Sequence, residues 1–382
     1  VLAWGESLVF EAILKSTQTI RSVSGPAAME YENKQDVLRQ YIDQRLLVHE
    51  QLRQILGSNP VQLLLDNHKY HARFMSNVFQ LNSYVLLARI VVWVYRSYHR
   101  QGVAYDYFPW ELKQWMEAVR QELSEAAARE ILPIYAWMLS QHDNFVGAAE
   151  GQQQVPFDFN FEPGSVSQFC LDKLIEGDYE VFAELAVRFV ETGNKLDGLY
   201  VGVLQPCLYE LGKLWEHGKI SVAQEHLASA MVSRAMFKAF EKCTYSPHRK
   251  GKAVIAASPN EYHEIGTHLV ADLLELAGWD ILYLGANTPQ KALLDLVRME
   301  KPLFIGVSAV MPFNIDYVKE IVTAMRRDSE LQSVKIMVGG LAFSHVADLW
   351  RSTGADGYAP NGTACLELAR QWWEQAHVVQ GK

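Results

Sequence analysis

His263 stands in the segment NEYHEIG, 260–266, two residues after Glu261 and three before Gly266. A neutral imidazole is a common metal ligand, and a carboxylate that accepts its other N–H fixes the tautomer and raises its basicity. Glu261 is near enough in sequence to do this. Gly266 has no side chain, so a bulky ligand could approach the chain there. A lone loop histidine serves equally well as a cap at a helix start, so the elements around it must decide.

Those elements form a pattern. KAVIAASP precedes the histidine as an apolar run closed by a proline, and THLVADLLELAG follows with helical spacing and a terminal glycine. From residue 252 onward, short β-branched runs (KAVIAAS, DILYLG, PLFIGVS, VKIMVGG) alternate with helical stretches, which predicts a doubly wound parallel sheet over 252–376. The strand-end loops are SPNEYHEIG, GANTP, SAVMPFN, GGLAFS and GADGYAPNG, rich in small residues and hydroxyls. In open parallel sheets ligands bind at this carboxyl edge. No GxGxxG follows the first strand, which removes the main support for a nicotinamide or flavin.

Three spaced elements of this segment resemble the cobalamin-binding domains: Glu261-Tyr-His263-Glu-Ile-Gly266, Ser308-Ala-Val310 and Gly339-Gly340. The resemblance implies that His263 ligates cobalt from below in place of the cofactor's own base. It also implies that Ser308, Val310, Gly339 and Gly340 line a slot for the nucleotide tail. Upstream, residues 167–247 read as a cap of four helices, with Gly177, Gly193 and Gly218 at places suited to helix stops. Here Trp215, nine intervening residues and the pair Glu225-His226 resemble the cap of light-sensing adenosylcobalamin photoreceptors related to the CarH regulators. In that family these residues cover the upper corrin face. The regulators carry a histidine directly after the tryptophan, where this chain has Glu216 and then His217. One helical position turns a side chain by about 100°.

Composition narrows the class. A chain of 382 residues, 49% hydrophobic and with net charge -9, is globular and ill suited to binding polyanions. The first 150 residues show no basic recognition helix, so direct nucleic-acid binding is not expected. Four cysteines without CxxC spacing fit a reducing cytoplasm. The apolar run 84–95 is too short for a membrane span and contains Arg89. The chain starts at Val1 rather than Met and shows no signal-peptide pattern, which leaves open that it is a fragment.

Residues 1–150 read as all helical and open to a globin-like arrangement, with 151–166 as a connection that packs against something. Arg89, Trp93 and Arg96 fall on one helical face, and His68 and His71 share another. Cations beside aromatics suit a tetrapyrrole with propionates, while an aromatic core with arginines at its edge explains the same pattern. Helices joined to a cobalamin module resemble the photocobilins, which implies biliverdin near Arg89, Arg96 and His71. No cysteine precedes Cys170, so such a bilin would be noncovalent; haem on His71, His68 or His99 is the alternative.

The expectation is therefore a light sensor and regulator rather than an enzyme: adenosylcobalamin on cobalt ligand His263, a homo-oligomer, and a downstream signalling protein or output domain as partner. A corrinoid methyl carrier and simple cofactor storage share the same fold. An adenosylcobalamin mutase is disfavoured, because no (β/α) barrel for a substrate is present.

Overall fold

The computed structural model describes residues 8–151, 165–192, 195–244 and 250–380. The connection over 152–164 and Gly193 lie outside the described residues. The chain divides into two compact units, Val1–Asp158 and Phe159–Lys382.

The first unit is helical throughout its described residues: α1 (Leu8–Ser16), α2 (Gly25–Leu47), α3 (Leu52–Leu56), α4 (Gln62–Leu81), α5 (Tyr84–Arg100), α6 (Tyr107–Glu122), α7 (Glu125–Ser140) and α8 (His142–Glu150). Leu38, Ile42 and Leu46 lie at four-residue steps on α2, and all are fully buried. The rhythm continues to Leu56, but the helix stops at Leu47 and resumes as α3. Helices α2 and α7 cap each other. Glu130 accepts from the backbone and hydroxyl of the N-cap Ser24, and Glu30 does the same for the N-cap Ser124. Among the described residues, no helix is long and apolar enough to cross a membrane.

The second unit opens with the cap: α9 (Val166–Glu176), α10 (Tyr179–Glu191), α11 (Leu196–Leu199), α12 (Gln205–Glu216) and α13 (Val222–Phe240). A π turn, Tyr200–Leu204, joins α11 to α12 without a break, giving four helical rods. Pro206 explains the turn. It has no N–H, and its ring would strike the carbonyl of Gly202 in a regular helix, so the chain widens there. The Ser167 hydroxyl donates to that Gly202 carbonyl at 3.4 Å. Gly177 closes α9 at φ +74°, and Gly218 follows α12 at φ +65°. Ser221 and Gln224 form a reciprocal cap at the start of α13.

The remainder is a parallel sheet of β1 (Lys252–Ala257), β2 (Asp280–Tyr283), β3 (Phe304–Ser308), β4 (Lys335–Gly339) and β5 (Gly357–Ala359). Its order is β2-β1-β3-β4-β5. Helices α14 (Ile265–Leu276), α15 (Gln290–Glu300), α16 (Ile315–Arg327) and α17 (Gly362–Gln380) connect and cover it. The order reverses between β1 and β3, so the loops that follow these two strands flank a crevice suited to a ligand. The fold is thus helical with a doubly wound parallel sheet, as the alternation of runs predicts. The fifth strand sits inside what reads in the sequence as a loop, because three residues carry no pattern.

Candidate functional site

The loop after β1 is built around a buried carboxylate. Glu261 is fully buried, and its Oε1 lies 2.5 Å from His263 Nδ1 and accepts from the His263 backbone at 3.2 Å. Its Oε2 accepts from the backbone of Val310 at 2.7 Å, the backbone of Met311 at 3.0 Å and Asn314 Nδ2 at 3.0 Å. One carboxylate therefore ties the loop after β1 to the loop after β3. The loop after β2 is tied in as well, since Asn287 donates its backbone N–H to the Glu261 carbonyl at 2.8 Å.

Electrostatics follow from this geometry. Burial opposes ionisation of Glu261, but the hydrogen bond and charge of His263, with Met311 and Asn314, hold it below the usual carboxylate range. Partial burial likewise opposes charge on His263, yet the bond and charge of Glu261 raise it above the ordinary histidine value. Glu225, from α13 of the cap, adds to that rise. The His263 side chain is 60% exposed. With Nδ1 committed to Glu261, Nε2 is the nitrogen left for a metal.

Replacing Glu261 by glutamine removes the charge that raises His263. The imidazole of the ligand-free variant should titrate at lower pH than in the parent chain, which a nuclear magnetic resonance titration of His263 reads directly. The sign for stability follows. The raised histidine contributes stability that is fully present below its ordinary value and is lost as pH rises through its elevated one. In the glutamine variant that window narrows.

The glycines divide into two kinds. A Cβ on Gly340, at φ +97°, would fall 2.2 Å from the Ala309 carbonyl oxygen and 2.8 Å from Ser308 Oγ. Gly339 is tight as well, 3.0 Å from the Ala359 carbonyl oxygen. Gly340 lets β4 end against the loop after β3, and Gly339 lets it run close to β5. A Cβ on Gly266 would meet nothing within 4 Å, so the space at the start of α14 is open. The buried Thr288 hydroxyl, just beyond β2, has no hydrogen-bond partner among the described residues. Open space beside an imidazole and a buried, unused hydroxyl fits a large polar ligand.

In the cap, Trp215 packs half-buried against the helical core. Glu225 accepts from Ser229 at 2.8 Å and lies 2.6 Å from Nδ1 of the exposed His226. His217 follows the end of α12, with Nδ1 2.7 Å from the Lys213 carbonyl.

Of the helical-unit candidates, Arg96 and His68 are buried, Arg89 and His71 are partly buried, and His99 is exposed. Arg96 is buried and donates to the carbonyls of Ala149 at 2.9 Å and Ala148 at 3.2 Å, closing the end of α8. The Arg89 guanidinium lies 5.9 Å from the centre of the Phe10 ring. His71 stacks on Trp115 at 4.7 Å, and burial together with the neighbouring His68 pushes it down to about 3. His68 pairs with Asp43 at 2.7 Å, and His99 stacks on Tyr105 at 3.8 Å.

Sequence reasoning missed Asn314. The signal was a polar side chain six residues past Ser308, at the start of a helix and beneath the strand-end loops.

Two segments match models described as B12 binding domains, residues 169–238 and 251–368. The chain is 33% identical over 140 residues to the HTH-type transcriptional repressor CarH of Myxococcus xanthus, covering 37% of this chain and 46% of the repressor. It thus spans about half the length of that relative. It is 24% identical over 192 residues to dimethylamine corrinoid protein 1 of Methanosarcina mazei, covering 49% of this chain and 85% of that protein. The monomethylamine corrinoid protein of Methanosarcina barkeri superposes with a TM-score of 0.48 at 22% identity, covering 53% of this chain and 95% of the other. Residues 169–238 and 251–368 are accordingly B12-binding domains that make up a cobalamin-binding module, and the second contains the Glu261–His263 loop.

Proposed function

We propose that the chain is a light-sensing signalling protein that holds adenosylcobalamin between the cap and the sheet, with His263 as the cobalt ligand. The observation that carries this reading is the electrostatic influence of Glu225, in the cap, whose charge helps to raise His263 in the ligand loop. That influence supports a position of the Glu225-His226 pair near the ligand loop. The likeness to CarH supports the same reading.

In this reading Glu261 orients His263, Ser308, Val310, Gly339 and Gly340 border the nucleotide tail, and Trp215, Glu225 and His226 cover the upper face. When bound, adenosylcobalamin supplies a cobalt–carbon bond that light breaks. Glu225 and His226 are bonded chiefly to each other and to Ser229, so they can turn when the group they cover departs. The output is a change in homo-oligomer assembly or in contact with a cytoplasmic signalling partner or output domain, without direct DNA binding. Noncovalent biliverdin in the helical unit would extend the response to red light.

The match over 85% of a dimethylamine corrinoid protein favours a second reading, a methyl carrier serving a methyltransferase. One experiment separates them. The chain is purified in the dark from cells supplied with adenosylcobalamin and biliverdin, and its absorption spectrum is taken before and after green light. An irreversible change in the corrin bands supports the sensor, and an additional red band supports the bilin. A chain isolated with methylcobalamin in place of adenosylcobalamin, and without a red band, moves the assignment to the carrier.

A further inference from the structure

We propose that Tyr200, Asp272 and His268 form a proton-linked latch that fastens the helical cap to the sheet domain. Tyr200 lies in the π turn next to Pro206 and is fully buried. Its hydroxyl donates to Asp272 Oδ2 at 2.6 Å, and it lies 3.4 Å from the Met236 carbonyl on α13. Asp272, on α14, is 6% exposed. One turn earlier, His268 Nε2 lies 3.5 Å from Asp272 Oδ1. The His268 ring stacks on Tyr283 of β2 at 5.4 Å and meets Phe237 of α13 at 4.7 Å.

Apolar packing seals this cluster. Leu269 and Leu273 of α14 are buried in the cap's own core. The far end of the cluster touches the cobalt-ligand loop, since the Tyr283 hydroxyl donates at 3.3 Å to the carbonyl of Glu264, the residue after His263. The latch therefore runs from the cap to the loop that carries the ligand. It stands whichever upper ligand the cobalamin carries.

Its chemistry is that of a buried carboxyl group without a cation. The titratable groups facing Asp272 are Tyr200 from the π turn, Cys243 beyond α13, Tyr283 of β2, and His268 and Glu275 on its own helix. Among the described residues no lysine or arginine pairs with it. Burial keeps His268 below the ordinary histidine value, against the charge of Glu264. Burial pushes Asp272 up to about 7, against the hydrogen bond from Tyr200 and with the help of the Glu275 charge.

Exposing Asp272 to water would return it toward the ordinary 3.8, so opening the latch releases a proton. A carboxyl raised in the docked state favours docking below that ordinary value, and the benefit is lost as pH rises through about 7. Between pH 6 and pH 8 the docking constant falls about tenfold.

Hydrogen–deuterium exchange tests this on the full chain loaded with hydroxocobalamin, at pH 6 and pH 8, with rates normalised to chemical exchange. Opening across Tyr200–Leu204 and Ile265–Leu276 should rise about tenfold from pH 6 to pH 8. In Asp272→Asn it should stay flat, because the amide accepts from Tyr200 without ionising. A flat wild type, or the same rise in the asparagine variant, overturns the latch. Should that variant fail to fold, Tyr200→Phe decides. Losing the donor that lowers Asp272 should move the rise to higher pH, and an unmoved rise also overturns the proposal.

Discussion

An alanine at position 263 leaves cobalamin without its protein imidazole, and the absorption spectrum of the bound cofactor changes to that of a form without histidine ligation. Removing a supporting partner of a metal ligand typically costs about 10–100-fold in affinity, and removing the ligand itself should cost at least as much. The fold should survive, because the His263 side chain is mostly exposed and its partner Glu261 keeps three donors from Val310, Met311 and Asn314. A circular dichroism spectrum unchanged from the parent, with the cobalamin spectrum altered, is the expected pair of results. Added free imidazole should restore the parent spectrum in part, since the space beside Gly266 is open. A cobalamin spectrum unaltered by the substitution would remove His263 from its role.

Gly340→Val should act in the opposite way, on the fold before the cofactor. Its Cβ would lie 2.2 Å from the Ala309 oxygen, a backbone atom that cannot swing aside, at a φ of +97° that side chains rarely adopt. Backbone strain of about 1–3 kcal/mol and overpacking of about 1–3 kcal/mol combine to roughly 2–6 kcal/mol. Against a total stability of about 5–15 kcal/mol this is a large share, and the melting temperature should fall by on the order of 10 °C. Gly266 is the contrast. Gly266→Ala should leave the ligand-free melting temperature unchanged or slightly higher, as alanine favours a helix by about 1 kcal/mol. Gly266→Val should weaken cobalamin binding while the ligand-free fold remains. Equal losses of stability at 266 and 340 would contradict the division of the two glycines.

The contrast shows what a sequence discloses here. Glu261 and His263 are two residues apart, so their partnership is legible from spacing, and the β-branched runs announce four strands by composition. Asn314 is fully buried and joins Glu261 across 53 residues, and its place at a helix start marks a polar role without naming the partner. Tyr200 and Asp272 meet across 72 residues, through a turn that only the clash at Pro206 explains. The arginines of α5 were legible as cations on one face. What the face meets was not, because Arg96 is consumed by carbonyls at the end of another helix.

The donors around Glu261 also bear on how such a site could be transplanted. Of its five hydrogen-bonding contacts, two come from His263 and three from residues 310–314. A graft of residues 260–266 onto another parallel sheet would bury an acid with most of its satisfying groups left behind. Such an acid would take up a proton, cease to accept from the imidazole and leave the ring free to rotate. The smallest portable unit is therefore two adjacent strands with both of their loops, and a designer who copies the short motif alone would obtain a histidine with no fixed aim.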